Sequence, residues 1–101
     1  MEKDYYIERL LTAISHPNRI KILRLLKEEK TLCGCEILSA IGIEQSNLSR
    51  HLNTLVQAGV IYAWKEGTRM NYKISDKRIF DILDIAEQIV NKKLSNLKVL
   101  V

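Results

Sequence analysis

The chain has 101 residues, which fits one domain and is too short for two independent hydrophobic cores. Its 16 Lys and Arg against 12 Asp and Glu leave a net charge of +4, which favours an acidic partner such as nucleic acid. No apolar run approaches the roughly 18 residues of a membrane span, and two cysteines without an export signal favour the reducing cytoplasm.

The N-terminal part of the chain is predicted to form two helices. Apolar residues at helical spacing indicate a first helix over residues 4–14, which "SHP" interrupts. Pro17 suits the first turn of a second helix, where its missing N–H costs nothing, and that helix is expected to run to about Glu28. The next segment, "EEKTL", is interpreted as a loop.

Two further helices are predicted in close succession. A short helix over about residues 35–41 is ended by Gly42, and a longer helix then covers residues 45–58 until Gly59 ends it. Two helices joined by a short turn that contains glycine form a helix-turn-helix, here residues 35–58. The second helix of such a motif is the one that enters the major groove of DNA.

After Gly59 the apolar pattern changes from helical spacing to the shorter runs of a sheet. "VIYAWK" and "RMNYKIS" are β-prone, and "EGT" between them contains a glycine, so residues 60–75 are predicted to form a β-hairpin. Ser75 or Asp76 is expected to cap a final long helix over residues 76–97. The predicted fold is a single domain over residues 1–101, mainly α with a β-hairpin wing. It is a winged helix-turn-helix with the element order α-α-α-α-β-β-α.

Polar side chains crowd the fourth helix on the side opposite its apolar stripe. They are Gln45, Ser46, Asn47, Ser49, Arg50 and Asn53. Gln and Asn pair with adenine and Arg pairs with guanine, whereas Ser hydroxyls hold phosphates and fix the register. A polar helix start can also be a solvated cap, but the preceding helix, the hairpin and the basic chain favour a helix that reads duplex DNA.

Two neighbouring features are open to more than one interpretation. His51 either donates a hydrogen bond to a DNA phosphate or lies beneath the helix as a core histidine. In the hairpin, Lys65, Thr68 and Arg69 surround Gly67, and a basic hairpin tip can enter the minor groove. The alternative for the hairpin is an ordinary solvated turn.

Three stretches of the sequence resemble the ArsR/SmtB family of bacterial and archaeal metal-responsive repressors. They are "ISHPNRIKILRLL", "QSNLSRHLNTLVQAGVI" and "KEGTRMNYKIS", and the match spans residues 11–75. The resemblance implies a homodimer joined by the first and last helices, residues 4–14 and 76–97. It also implies a prokaryotic, nucleoid-associated repressor that binds an imperfect palindrome and releases it when an inducer binds. A two-fold dimer separates its two reading helices by about 34 Å, so an inverted-repeat operator follows from the geometry.

"LCGCEI" occupies the position where the family often has L-C-V-C-D-L, whose thiolates bind soft metal or metalloid ions. Cys33 and Cys35 match the two cysteines, and Glu36 matches the acidic residue. The resemblance therefore implies a site for As(III), Sb(III), Cd, Pb or Zn on these two thiolates. The third cysteine of some arsenical sensors falls on Leu38, and the last-helix histidines of zinc sensors are missing here.

Two thiolates alone do not complete a metal site. Zinc typically takes four ligands, so an ion would need help from His51, from Glu36, from the other protomer or from a small thiol. Residues two apart on an ideal helix point about 200° apart, so Cys33 and Cys35 could share an ion only at a frayed first turn. Gly34 lowers the cost of such fraying.

Three other interpretations of the chain stay open. Cys33 and Cys35 could close a disulfide and form a redox sensor, or they could be small apolar residues with no sensing role. The whole domain could be a winged helix that binds protein rather than DNA. An enzyme is not expected, because neither a phosphate-binding glycine loop nor a catalytic constellation is recognisable.

Overall fold

The computed structural model describes residues 2–100, and it describes the side-chain surroundings of residues 2–97. In chain order the elements are α1 Glu2–Ile14, α2 Pro17–Glu29, β1 Thr31–Cys33, α3 Gly34–Ile41, α4 Gln45–Gln57, β2 Ile61–Glu66, β3 Arg69–Ile74 and α5 Arg78–Leu100. The predicted fold is confirmed: the chain is mainly helical, and a β-hairpin follows the helix-turn-helix. Each predicted helix and strand is present close to its expected bounds.

Local sequence explains several of these helix ends. Pro17 occupies the first turn of α2, and the backbone N–H of Asn18 donates to Nδ1 of His16, which caps that helix. Gly42 ends α3 in the left-handed conformation, with φ 73°, which a residue without a Cβ adopts freely. The backbone N–H of Arg78 donates to Oδ1 of Asp76 at 2.9 Å, so Asp76 caps the start of α5.

The prediction of a loop at "EEKTL" was wrong in its last residues. Thr31–Cys33 forms a third strand, β1, which pairs antiparallel with β3 in the register Leu32↔Tyr72, and the strand order is β1-β3-β2. A three-residue strand is too short to show an alternating pattern, and its pairing depends on β3, which lies far away in sequence. The added strand matters for function because it ends at Cys33.

The hydrophobic core surrounds α2. Its most deeply buried apolar side chains come from α2, α3, α4, β2 and the turn before β2, and they are Ile22, Leu23, Leu26, Ile37, Leu55, Val60 and Ile61. They fix α3, α4 and the wing against one another, so the elements that carry the predicted DNA-binding residues form one packed unit.

The two terminal helices leave many apolar side chains in solvent. Among the described side chains of α5, only Ile79 and Leu83 are buried, and large apolar side chains further along the helix are exposed, including Ile89 at 64%. The opposite part of α5 is tied to α2 by two ion pairs, Arg24–Glu87 and Lys27–Asp84. We call the exposed side chains the α1/α5 apolar face: Tyr5, Tyr6, Ile7, Leu11, Ile82, Ile85, Ile89, Val90, Leu94 and Leu97. Within residues 2–100, no helix combines the length and the apolar character that crossing a lipid bilayer requires.

Candidate nucleic-acid interface and cysteine site

Helix α4 has one buried side and one polar side. Leu48, Leu52 and Leu55 are buried in the core. Five of the predicted DNA-binding residues on this helix are exposed, and Asn47 is half-buried; the five are Gln45, Ser46, Ser49, Arg50 and Asn53. The helix therefore presents hydrogen-bonding side chains to solvent over its first two turns, as a groove-reading helix must.

The N-terminus of α4 differs from those of α2, α3 and α5. Those three helices are capped by His16, Cys33 and Asp76. Among the described residues no side chain caps α4, whose N-cap residue is Glu44. The first N–H groups of a helix lack partners within it and carry the positive end of its dipole, so this end of α4 is suited to accept a DNA phosphate.

His51 lies in a polar cluster and not in the apolar core. Its Nδ1 accepts a hydrogen bond from Nε of Arg19 at 3.1 Å, and its ring lies 4.4 Å from the ring of His16. Partial burial lowers the pKa of His51 below 6.5, and the nearby His16, Arg19 and Arg50 lower it further. Because Nδ1 is an acceptor, the neutral ring carries its proton on Nε2.

The polar cluster surrounds a cavity of ≈ 400 Å³, which is lined by His16, Asn18, Arg19, Asn47, Arg50, His51 and Thr54. The sequence analysis did not identify Arg19 as part of this region. Arg19 lies 32 residues before His51, and only the packing of α2 against α4 brings them together. The only local signal was a basic residue within "SHPNR".

The predicted DNA-binding residues of the wing are exposed to solvent. Lys65, Thr68 and Arg69 are exposed, and Gly67 makes the turn between β2 and β3 with φ 60°. Arg69, however, extends towards the cysteines: its Nη2 donates to Sγ of Cys33 at 2.9 Å and lies 3.7 Å from Oε1 of Glu36. The sequence analysis did not foresee this contact.

The two cysteines meet because only one of them belongs to a helix. Cys33 ends β1 and is the N-cap of α3, whereas Cys35 lies in the first turn. Their Cα atoms are 5.4 Å apart, and their Sγ atoms are joined as a disulfide. The 200° separation expected within a regular helix therefore does not apply, and helix α3 needs no fraying for the sulfurs to converge.

Cys33 also holds the start of α3. The backbone N–H of Glu36 donates to Sγ of Cys33 at 3.2 Å, and the backbone N–H of Cys33 donates to Oε1 of Glu36 at 2.9 Å. This reciprocal pair is a capping box in which sulfur replaces the usual hydroxyl oxygen. Cys33 is 2% exposed and Cys35 is exposed, so one sulfur faces the core and the other faces solvent.

A cavity of ≈ 390 Å³ separates the cysteines from α4 and the wing. Gln45 and Ser49 of α4 line it on one side, and Thr68 and Arg69 of the wing line it on another. In the part of the chain that the structure describes, no group of three His, Cys, Asp or Glu residues could hold a metal ion. Within the described residues, the structure therefore brings Cys33 and Cys35 together but does not complete a metal site around them.

Comparison with known proteins gives consistent matches. The model of the family described as "Bacterial regulatory protein, arsR family" matches residues 16–63. An uncharacterized HTH-type transcriptional regulator of Methanocaldococcus jannaschii is 36% identical over 89 residues, which are 88% of this chain and 100% of that protein. The crystal structure of Rv0081 from Mycobacterium tuberculosis is similar with a TM-score of 0.78 at 38% identity, covering 86% of this chain and 87% of that chain. The cadmium resistance regulator CadC of Listeria innocua is 33% identical over 72 residues, which are 71% of this chain and 60% of CadC.

Proposed function

The chain belongs to the arsR family of DNA-binding transcriptional regulators, and we propose that it is a repressor that binds an inverted-repeat operator as a homodimer. The observation that supports operator reading most strongly is the exposed polar side of α4 next to an N-terminus without a side-chain cap. A winged helix that only binds protein has no need of this combination. We place its action at the nucleoid in the prokaryotic cytoplasm.

The proposed DNA contacts divide by chemistry. Gln45, Asn47, Arg50 and Asn53 contact base edges in the major groove, since amides and guanidinium groups pair bidentately with bases. Ser46, Ser49 and the Nε2–H of His51 contact phosphates, which fixes the register of the helix. Lys65, Thr68 and Arg69 contact the adjacent minor groove from the wing. The DNA-binding unit then comprises the helix-turn-helix at residues 35–58 and the wing at residues 60–75.

Homodimer formation is supported by the α1/α5 apolar face. Monomeric soluble proteins rarely expose so many large apolar side chains on two helices. In a two-fold dimer the same surface meets itself, so α1 and α5 of one protomer cover α1 and α5 of the other. The two copies of α4 then lie about one turn of DNA apart, which matches an inverted repeat.

Release from the operator is proposed to follow binding of a soft metal or metalloid ion to Cys33 and Cys35 in the reduced chain. Candidate ions are As(III), Sb(III), Cd, Pb and Zn, and the related CadC is named for cadmium resistance. The convergence of the two sulfurs at the start of α3 supports this assignment. The remaining ligands come from the partner protomer or a small thiol.

A second mode of regulation is favoured by the disulfide geometry. The Cα separation of 5.4 Å lies within the range of disulfides, and the structure accommodates the bond between β1 and α3. In this mode a two-electron oxidant such as a peroxide takes two electrons and two protons from the two thiols and becomes two waters. The same two residues would then respond to oxidants.

The test of DNA reading starts from duplexes selected from a random pool by the reduced protein. We expect an inverted repeat to be enriched, with an affinity that falls linearly with salt on logarithmic axes. Replacing Gln45 and Arg50 with alanine should weaken binding and relax base preference by about 1–3 kcal/mol per lost bidentate pair. If no duplex is enriched, or the double variant keeps affinity and specificity, the DNA-reading assignment is wrong.

The test of regulation uses the enriched duplex and four treatments: arsenite, cadmium, zinc and diamide, a thiol oxidant. Metal sensing predicts release by at least one ion in the presence of a reductant, whereas redox sensing predicts release by diamide only. The variant Cys33→Ser/Cys35→Ser should respond to none of the four. A response that survives in this variant would show that the cysteines are not the sensor.

A further inference from the structure

Arg69 connects two sites that the proposed function treats separately. It is the first residue of β3, at the tip of the wing, and it is separated from Cys33 by 36 positions in sequence. In the structure its guanidinium is turned away from the wing tip and towards the start of α3. The same side chain therefore belongs to the proposed minor-groove contact and to the surroundings of the cysteines.

Three groups at the cysteine site hold this guanidinium. Nη2 donates to Sγ of Cys33 at 2.9 Å and to Sγ of Cys35 at 3.7 Å. The same atom lies 3.7 Å from Oε1 of Glu36. Arg69 remains 60% exposed in its side chain, so it is not packed into the core and can turn to another partner.

The geometry points to Arg69 as the residue that carries the chemical state of the Cys33–Cys35 pair to the DNA. An ion bound to the sulfurs, or a change between two thiols and a disulfide, alters both of the sulfur acceptors that Arg69 contacts. In this state of the pair Nη2 lies within 3.7 Å of both sulfurs, so this donor is engaged at the cysteine site and is not available to the minor groove. The position of Arg69, and with it the DNA contact of the wing, therefore depends on the state of the pair.

The surroundings allow such a movement. The cavity of ≈ 390 Å³ lies directly between the cysteines, α4 and the wing, and Arg69 lines it. The backbone is comparatively fixed, since Cys33 pairs with Asn71 across β1 and β3. The side chain of Arg69 can thus move without unfolding of the sheet. A change at either sulfur affects the same group, the Arg69 guanidinium.

This inference rests on the proposed function. Two variants of the wing distinguish a failure of the inference from a failure of that function. We compare operator affinity before and after loading with cadmium in the presence of reductant, and before and after oxidation with diamide, which takes two hydrogen atoms from the thiols and becomes a hydrazine. The quantity compared is the ratio of operator affinity before a treatment to operator affinity after it. Allosteric coupling typically changes affinity about 5- to 150-fold, so a ratio of this size is expected for the wild-type protein under the treatment that releases DNA. Arg69→Met is expected to bring this ratio close to one. Lys65→Met, at the same wing but with no hydrogen bond to either cysteine, should weaken binding by the same factor in both states and keep the ratio.

Thiol titration and thermal melting complete the design. Arg69→Met should still lose two titratable thiols on oxidation and should melt like the wild type, because its side chain is largely exposed. If Arg69→Met keeps the wild-type ratio, the inference is overturned while the proposed function stands. If the wild-type ratio is one under every treatment, the proposed regulation fails first, and the inference falls with it.

Discussion

Replacing Ile89 with alanine tests the proposed dimer most directly. Ile89 lies on α5, within the α1/α5 apolar face, and is 64% exposed in the single chain. Each buried carbon group contributes about 0.8 kcal/mol, and Ile→Ala removes three of them. If the partner covers the 64% of Ile89 that is exposed, each Ile→Ala substitution lowers the stability of the dimer by about 1.5 kcal/mol.

A two-fold dimer contains this change twice. The expected loss is therefore about 3 kcal/mol, or about a hundredfold in the dimer dissociation constant. Sedimentation equilibrium over a range of protein concentrations measures that constant, and circular dichroism verifies that the protomer stays folded. Operator affinity should fall in parallel at low protein concentration, because a monomer contacts only one half-site.

The matched control is Asn91→Ala on the opposite side of α5. Asn91 is exposed, and at 100° per residue it lies about 160° around the helix from Ile89. Its replacement should leave the dimer constant unchanged. Equal dimer constants for Ile89→Ala and Asn91→Ala would refute the assignment of the apolar face to the interface, as would a wild-type protein that stays monomeric.

Three further measurements test separate parts of the structure. Lys65→Met should reduce affinity for all duplexes alike and lower the salt slope by about one, because a lysine at the minor groove neutralises about one phosphate charge; an unchanged slope would place Lys65 away from DNA. Lys30 has φ 65°, so Lys30→Gly should raise the free energy of unfolding in urea by about 1 kcal/mol, and a loss of stability would contradict the strained conformation. The folded-state pKa of His51 lies below 6.5, so its contribution to stability is complete above pH 6.5 and is lost as the pH falls through the folded-state pKa. His51→Gln should reduce the slope of the urea midpoint against pH in that window, and an identical slope would assign it to other groups.

The helices could be predicted from the sequence because their signals are local. The apolar spacing of α4 and the stop at Gly42 lie within one or two turns of the residues they control, and the structure agrees with both. Strand β1 could not be predicted, since its three residues become a strand only by pairing with β3, about 40 positions away. The wrong loop prediction therefore came from a long-range pairing and not from a misread residue.

The residues of the candidate site also divide into those with a local sequence signal and those that depend on long-range packing. The polar residues of α4 were identified because they share a helix, so their common exposure follows from periodicity. The link between Arg69 and Cys33 depends on the β1–β3 register, which no local pattern contains. The convergence of Cys33 and Cys35 also required knowing that α3 begins at Gly34, one residue after the first cysteine. With Cys33 outside the helix in extended conformation, the 200° separation within a regular helix does not apply to the pair.

The capping role of Cys33 bears on why a sulfur is present at that position. An N-cap in a capping box is normally Ser or Thr, whose oxygen accepts the backbone N–H better than a sulfur does. Serine at position 33 would therefore maintain the cap to Glu36 and cost little in the fold. The cap thus does not require sulfur there, although Sγ of Cys33 contacts Arg69 of the wing and Cys33 lines the same cavity as Gln45 and Ser49 of α4. A residue that is second best for capping, placed where its side chain contacts Cys35 and Arg69, is what the proposed sulfur chemistry of Cys33 would require.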